Sequence, residues 1–261
     1  MKAVILAGGK GTRLSEETLL KPKPLVEIGE MPILWHIMKI YSSFGINDFV
    51  ICCGYKSYMI KDYFSNYFLS RSDVTFDMKE NKTEVHRNHV EPWRVTLINT
   101  GLETMTGGRL KRVKDYVGKE SFCFTYGDGL SDVNITKLID FHKKQKKLAT
   151  VTAAKHQSRF GVISEEAGIV TQFTEKPVME NSWMNSGFFV MEPEVLDYIA
   201  GDDTVFEKEP LQRLVRDGQL CAYQHDGFFQ GMDSLRDKML LEDLWKNGNA
   251  PWDRWSQYEN S

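Results

Sequence analysis

Residues 2–6, KAVIL, form a short run, apolar after its lysine, that breaks abruptly into Gly8-Gly9-Lys10-Gly11-Thr12-Arg13. A buried strand that ends in glycines lets backbone N–H groups approach a ligand closely, because glycine carries no Cβ. Concave runs of such groups bind anions. Arg13 adds a rigid cationic fork suited to phosphate, and Thr12 a hydroxyl. The stretch reads as a phosphate cradle at the end of a strand. Two common cradles fail on spacing. The Walker pattern needs Lys-Ser or Lys-Thr directly after its last glycine, whereas Gly11 is followed by Thr12-Arg13. A dinucleotide fingerprint begun at Gly9 would need a third glycine where the chain has Leu14.

The cadence that follows is strand, helix, strand. Residues 32–46 carry apolar side chains at helical spacing and stop at Gly45,. Residues 48–54 are a continuous apolar run closed by glycine, as in a buried parallel strand,, and 55–68 are amphipathic and rich in aromatics. The alternation predicts an α/β fold of doubly wound type, with a mixed, mostly parallel sheet and helices on both faces. Residues 70–101 interrupt it with short β-branched and aromatic segments, read as a small added β region within one domain spanning 1–261. A helix is expected over 106–118 and a strand over 121–126, ending in Gly127-Asp128-Gly129. Further on come a helix over 135–147, a strand from Ala149, a hairpin over 159–177 turning at Ala167-Gly168, and a strand over 183–191 followed by a helix to Ile199. The chain closes with a helix over 211–216, a strand over 220–225 and a helix after Asp233.

Composition removes several classes of function. A net charge of −3 lacks the basic face that nucleic-acid binding requires. No apolar run approaches the ~20 residues of a membrane span, and the N-terminal run is too short for a secretory leader. Cys52, Cys53, Cys123 and Cys221 show no CxxC spacing, so buried, reduced thiols in a cytoplasmic protein are expected. His36, between Trp35 and Ile37, reads as a packed helix residue. His86, His89 and Glu91 match no common zinc spacing and read as surface polarity or a subunit contact. Asp128 stands outside the carboxyl end of a strand, where open α/β sheets bind ligands, although Asp-Gly is also common in turns.

The order of motifs resembles that of the sugar-1-phosphate nucleotidyltransferases, Rossmann-like enzymes, over essentially the whole chain. The motifs are LAGGKGTRL at 6–14, Lys21-Pro22-Lys23-Pro24, Gly127-Asp128-Gly129, Glu175-Lys176-Pro177, Asn185-Ser186-Gly187-Phe188-Phe189 and Met232-Asp233-Ser234-Leu235. The stretches LSEETLLKPKPLVEIG, ILWHIMKIY, VEPWRVTL and MTGGRLKRV are similar to the branch that joins CTP to glucose 1-phosphate. The chain departs from that branch at Ser186, where glycine is expected, and at Phe206, where tryptophan is expected.

The resemblance implies roles residue by residue. Leu6, Ala7, Gly8, Gly9, Lys10, Gly11, Thr12, Arg13, Lys23, Thr104, Arg109 and Asp128 would bind the nucleotide, Arg13 and Lys23 acting in catalysis. Cytosine needs an acceptor at its amino group and a donor at O2, and Arg109 is the candidate donor. Asp128 and Asp233 would hold Mg²⁺. Lys176 would grip the acceptor phosphate, with Glu175 and Asn185 on the sugar and Ser186 beside them. A homo-oligomer, pointing to a hexamer, is implied too. A thymidylyl- or uridylyltransferase on the same fold is the alternative. A non-catalytic homologue would have lost some of Arg13, Lys23, Asp128, Lys176 and Asp233, and none is lost.

Overall fold

The first apolar run is strand β1 (Ala3–Ala7), and every residue in it is buried. It lies inside a seven-stranded sheet with β2 (Asp48–Cys53), β3 (Arg94–Asn99), β4 (Phe122–Tyr126), β5 (Ala149–Gln157), β6 (Val178–Met191) and β7 (Leu220–His225). The order across the sheet is β3-β2-β1-β4-β6-β5-β7. Neighbours are parallel except β6, which is antiparallel to both β4 and β5. This computed structural model describes residues 1–88, 90–157, 162–166, 169–174 and 178–256, without the side chains of 15–16 and 156–182.

Alternate residues of β1 serve opposite layers, as strand geometry requires. Ala3, Ile5 and Ala7 pack with α1 (Ile33–Ser42), α2 (Ser57–Ser70), α4 (Ile135–Gln145) and α6 (Leu235–Lys246). Val4 and Leu6 pack with α3 (Thr106–Arg112) and α5 (Glu209–Arg216). Helix α1 follows Pro32 and buries Ile33 through Met38, which explains why its sequence is apolar almost all round,. His36 lies fully buried on it: its Nε2 meets the Ile28 carbonyl at 2.9 Å and Trp252 Nε1 donates to its Nδ1 at 3.3 Å. Trp35, Trp245, Trp252 and Trp255 surround the ring. Burial lowers the pKa of His36 to about 4, against partial compensation from the Ile28 carbonyl.

Sequence and structure differ in three places. Of residues 70–101, Ser72–Asp77 and Lys82–Asn88 form a separate antiparallel hairpin, whereas Arg94–Asn99 is the edge strand of the main sheet, pairing with β2. The added region is therefore narrower than the sequence suggested, because the alternating pattern of an edge strand resembles that of a hairpin arm. Glu91 is not surface polarity: it accepts from Trp35 Nε1 at 3.1 Å and from the Tyr67 hydroxyl at 2.5 Å, tying α1 to α2. The helix expected before Ile199 is a short 3₁₀ segment, Pro193–Tyr198. The hairpin pairs Val162–Glu166 with Ile169–Thr174 as expected, its turn and His89 lying outside the described residues. Cys52, Cys53 and Cys123 are free and buried, and burial pushes the thiols of Cys53 and Cys123 up to about 12. Among the described residues no helix is long and apolar enough to cross a membrane.

Candidate active site

The connection order reverses at β1. The chain leaves β1 outward through β2 and β3, then returns to β4 on the other side. Loops diverge at such a switch point and leave a crevice beyond the strand ends. Here it is a cleft of about 490 Å³ lined by Leu6 through Arg13, Lys23, residues 102–106, Arg109, Tyr126 and Asp128. A second cavity of about 620 Å³, between α2 and residues 20–32, contains none of the expected site residues.

One wall is the glycine loop. Among the described residues, the N–H groups of Gly9, Lys10 and Gly11 donate to no backbone carbonyl, so they remain available to an anion. The Thr18 hydroxyl ties the loop down through the carbonyls of Gly11, at 3.1 Å, and Leu14, at 2.9 Å. Gly8 is required by close approach: a Cβ there would lie 2.2 Å from Arg109 Nη1. Arg109 is buried beneath the opposite wall and holds it together. Its Nη1 donates to Thr100 Oγ1 at 2.9 Å and to the Gly101 carbonyl at 2.6 Å, and its Nη2 to the Leu102 carbonyl at 3.1 Å. Burial lowers its pKa from the usual guanidinium range. At the mouth, Lys10 Nζ and Glu103 Oε1 meet at 2.8 Å across the cleft. Both are exposed, so the pair contributes no more than about 1 kcal/mol.

The floor carries the charge. Lys23 sits between Pro22 and Pro24, whose rings fix the backbone on either side of it,. Its ammonium donates to Asp128 Oδ2 at 2.7 Å and to Asp233 Oδ1 at 2.9 Å. Arg13 reaches the same Asp233, Nη2 to Oδ1 at 3.0 Å and Nη1 to Oδ2 at 3.1 Å. Two oxygens in contact with one nitrogen lie within about 6 Å of each other, so a small side-chain rotation brings them within the ~4.2 Å that two ~2.1 Å metal–oxygen contacts to one hard cation span. Distant parts of the chain are joined here by a short ladder. Gly129–Ser131 pairs with Phe229–Gly231, and Met232 N donates to the Asp128 carbonyl at 2.8 Å. The α6 capping box then fixes Asp233, because Asp237 Oδ2 accepts from the N–H groups of Asp233 and Ser234.

Sequence reasoning missed part of the third wall. Segment 202–207 runs along the start of α3, where Met105 N donates to the Asp202 carbonyl and Gly107 and Gly108 N to that of Thr204. A Cβ at Gly107 would lie 2.7 Å from the Thr204 carbonyl oxygen, and one at Gly108 2.5 Å from that of Asp202. That close approach is the reason for the paired glycines. Glu207, on this segment, binds the hydroxyls of Tyr126 and Thr106, and no local pattern announces it. Burial and the Glu207 charge both raise the pKa of Tyr126.

On the sugar side, Asn185 is exposed and its Oδ1 accepts from Gly187 N at 2.8 Å. Ser186 does not face the cleft: it is buried, and its hydroxyl donates to the Thr152 carbonyl at 2.9 Å. Successive strand residues point to opposite faces, so the neighbour of an outward Asn185 turns inward. Phe206 is fully buried against Phe124 and Phe189, a packing role that another large ring could fill. Glu175 and Lys176 lie outside the described residues.

Comparison with known proteins agrees with this geometry. The chain is 60% identical over 256 residues to a glucose-1-phosphate cytidylyltransferase of Salmonella typhi, covering 98% of this chain and 100% of the relative. The enzyme of that name from Salmonella typhimurium matches to the same extent. In fold, the chain is similar to a UDP-glucose pyrophosphorylase solved with UDP-glucose, with a TM-score of 0.68 at 17% identity over 95% of this chain and 98% of the other. Residues 2–246 match the family described as nucleotidyl transferase. With the glycine loop, the paired aspartates and the switch-point cleft all in place, the chain belongs to the nucleotidyl transferase family.

Proposed function

We propose that the chain transfers the cytidylyl group of CTP to α-D-glucose 1-phosphate, giving CDP-glucose and pyrophosphate. The observation that carries this reading is the end-to-end identity of 60% with the Salmonella glucose-1-phosphate cytidylyltransferases. A phosphate oxygen of the sugar phosphate attacks the α-phosphorus in line. The bond from that phosphorus to the bridging oxygen breaks, and its electron pair leaves with pyrophosphate. The attacking oxygen is already ionised near neutral pH, so alignment and neutralisation of charge supply the catalysis.

Each cluster has a task in this scheme. The free N–H groups of Gly9 to Gly11 receive the triphosphate, and Arg13 neutralises the leaving group. Mg²⁺ fits the donor set, since Asp128 and Asp233 converge on a point where the Lys23 ammonium already stands as a cation. A hard ion takes one or two carboxylates plus phosphate oxygens, and when bound it would draw charge from the α-phosphate. With those carboxylates on the ion, the Lys23 ammonium would be free to pair with phosphate. Lys176 holds the acceptor phosphate, with Glu175 and Asn185 on the sugar.

The test is a panel of nucleoside triphosphates assayed for pyrophosphate release with glucose 1-phosphate. A wrong base leaves one or two buried polar groups unpaired at ~1–3 kcal/mol each, so CTP should lead UTP and dTTP by roughly ten- to several-thousand-fold. Equal kcat/KM values would end the cytidylyl reading and leave the family assignment. Lys176→Ala should chiefly raise the KM for the sugar phosphate, as loss of a ground-state contact does; an unchanged KM would remove it from the acceptor site. The exposed hairpin presents Phe76, Met78 and Val85, which supports self-association into a homo-oligomer, a hexamer by resemblance. Light scattering would check its mass. The substrates and the reduced thiols accord with a cytoplasmic location.

A further inference from the structure

Among the described residues, four cations line the nucleotide cleft: Lys10, Arg13, Lys23 and Arg109. Arg109 is held by a hydroxyl and two carbonyls, all neutral. The other three each stand on a carboxylate: Lys10 on Glu103, Arg13 on Asp233, and Lys23 on Asp128 and Asp233 together. These pairs differ in how easily they part. The side chains of Lys10 and Arg13 are 49% and 76% exposed, so either can swing into water with little loss. The Lys23 side chain is only 11% exposed, and prolines fix the backbone on both sides of it. Its ammonium meets Asp128 Oδ2 at 2.7 Å and Asp233 Oδ1 at 2.9 Å, and the described residues offer it no other acceptor. Drawn away from both oxygens, it would be a largely buried charge left unpaired, which is strongly unfavourable.

An ammonium in contact with both carboxylates stands where a divalent cation would bridge them. Asp128, Asp233, Lys23 and Arg13 together carry no net charge, so a divalent cation added among them would leave two positive charges in excess. We propose that Lys23 keeps this carboxylate pair closed to divalent cations while the cleft is empty, so that the metal site is assembled only when a triphosphate arrives. A triphosphate brings several negative charges and many acceptor oxygens to the glycine loop beside Lys23. The ammonium can then pass from carboxylate to phosphate without ever being unpaired, and the same movement releases Asp128 and Asp233. Metal and nucleotide must therefore each raise the affinity for the other, since coupling between two sites is reciprocal. With a neutral side chain at 23 the two aspartates would face each other with Arg13 alone, and a hard cation would be their natural complement.

This inference rests on the reading of Asp128 and Asp233 as the Mg²⁺ pair, and the experiment separates the two. The probe is Mn²⁺, which suits the same carboxylate ligands. It is titrated into the nucleotide-free protein, and its unbound fraction is read by electron paramagnetic resonance beside a melting curve. The proteins are wild type, Lys23→Met, Lys23→Gln, Lys23→Arg and the double variant Lys23→Met/Asp128→Asn. Lys23→Met should bind one Mn²⁺ about tenfold or more tighter than wild type, because a positive charge in contact with both ligands is gone. Lys23→Gln, equally uncharged, should do the same if methionine disturbs the fold. Lys23→Arg keeps the charge and should stay as weak as wild type, and adding Asp128→Asn should abolish the gain. Equal Mn²⁺ affinity in wild type and both neutral variants would overturn the exclusion, since the ammonium would then be no barrier. The metal pair is checked separately with CTP present and the sugar phosphate absent. Protein-bound Mn²⁺ that Asp128→Asn removes would keep the pair even where the exclusion fails. A gain in Lys23→Met that survives Asp128→Asn would place the ion elsewhere and overturn both.

Discussion

Lys23 and His36 are both basic and both buried, 8% and 0% exposed, yet their surroundings treat charge in opposite ways. Lys23 is met by two carboxylates on the cleft floor. His36 is met by a carbonyl, an indole N–H and tryptophan rings, and burial lowers its pKa to about 4. The cleft holds a cation in place by gathering anions from residues 128 and 233, at the cost of leaving those anions dependent on it. The aromatic wall keeps its imidazole neutral and uses it as a hydrogen-bonding spacer between the Ile28 carbonyl, ahead of α1, and Trp252 near the C-terminus. Burial alone therefore says little about function; the neighbours decide whether a buried base serves chemistry or architecture.

The largest effect should come from removing charge on the cleft side. Asp128→Asn keeps the shape of the side chain and the Gly129–Ser131 ladder but weakens the hold on a cation. We expect kcat to fall by about a thousandfold or more, since a single preorganised electrostatic contact is worth roughly 10²–10³ and, in the proposed function, this one would also hold Mg²⁺. Melting should shift by only a few degrees. Steady-state kinetics beside a melting curve checks both, and a variant that unfolds would erase the contrast between a functional cleft and a structural wall.

On the wall side the expected effect is on stability and depends on pH. The folded pKa of His36, about 4, lies below its unfolded value of 6.5. The unfolded chain therefore binds more protons between these values, and stability must rise with pH across that window. The stabilising margin is present above pH ~6.5 and is lost as pH falls toward 4, by roughly 3 kcal/mol at ~1.4 kcal/mol per unit. Carboxylates titrate nearby in pH, so the informative measurement is a difference. Urea unfolding of wild type and His36→Gln at several pH values from 7 to 4 should show a shallower slope in the variant. Parallel slopes would mean that the imidazole is not held neutral.

Much of this contrast was legible in the sequence and some was not. The run into Gly8-Gly9-Lys10-Gly11 announces β1 and its cradle because both signals are local. His36 as a packed residue follows from its apolar neighbours on a helical pattern. Asp128 is suggested by its place after an apolar strand. What joins Asp128 to Asp233 could not be derived from spacing, because the ladder between Gly129–Ser131 and Phe229–Gly231 is only three residues long on each side. Pairing so short carries no periodicity. Glu91 and Glu207 were missed for a similar reason: each is a lone carboxylate whose partners come from helices and strands remote in sequence. Ser186 was misplaced by one step of the strand pleat, which is enough to turn a side chain from the cleft to the core.

The smallest effect should come from a residue that belongs to both regions in character, being buried like His36 and cationic like Lys23. Arg109 spends its Nη1 on Thr100 and the Gly101 carbonyl and its Nη2 on the Leu102 carbonyl. Its first task is thus to hold the wall of the cleft, and the base contact proposed for it would fall to Nε–H or the second Nη2 hydrogen. Arg109→Ala removes the clamp and opens space beneath Gly8. The KM for CTP should rise by about tenfold, the equivalent of one lost hydrogen bond to a charged group at ~1.5 kcal/mol. The KM for the sugar phosphate should change little, and kcat less than in Asp128→Asn. Arg109→Lys should not restore the CTP value, because an ammonium lacks the planar fork that spans three acceptors. A full rescue by lysine would show that charge alone matters at this position and would move Arg109 to the side of Lys23.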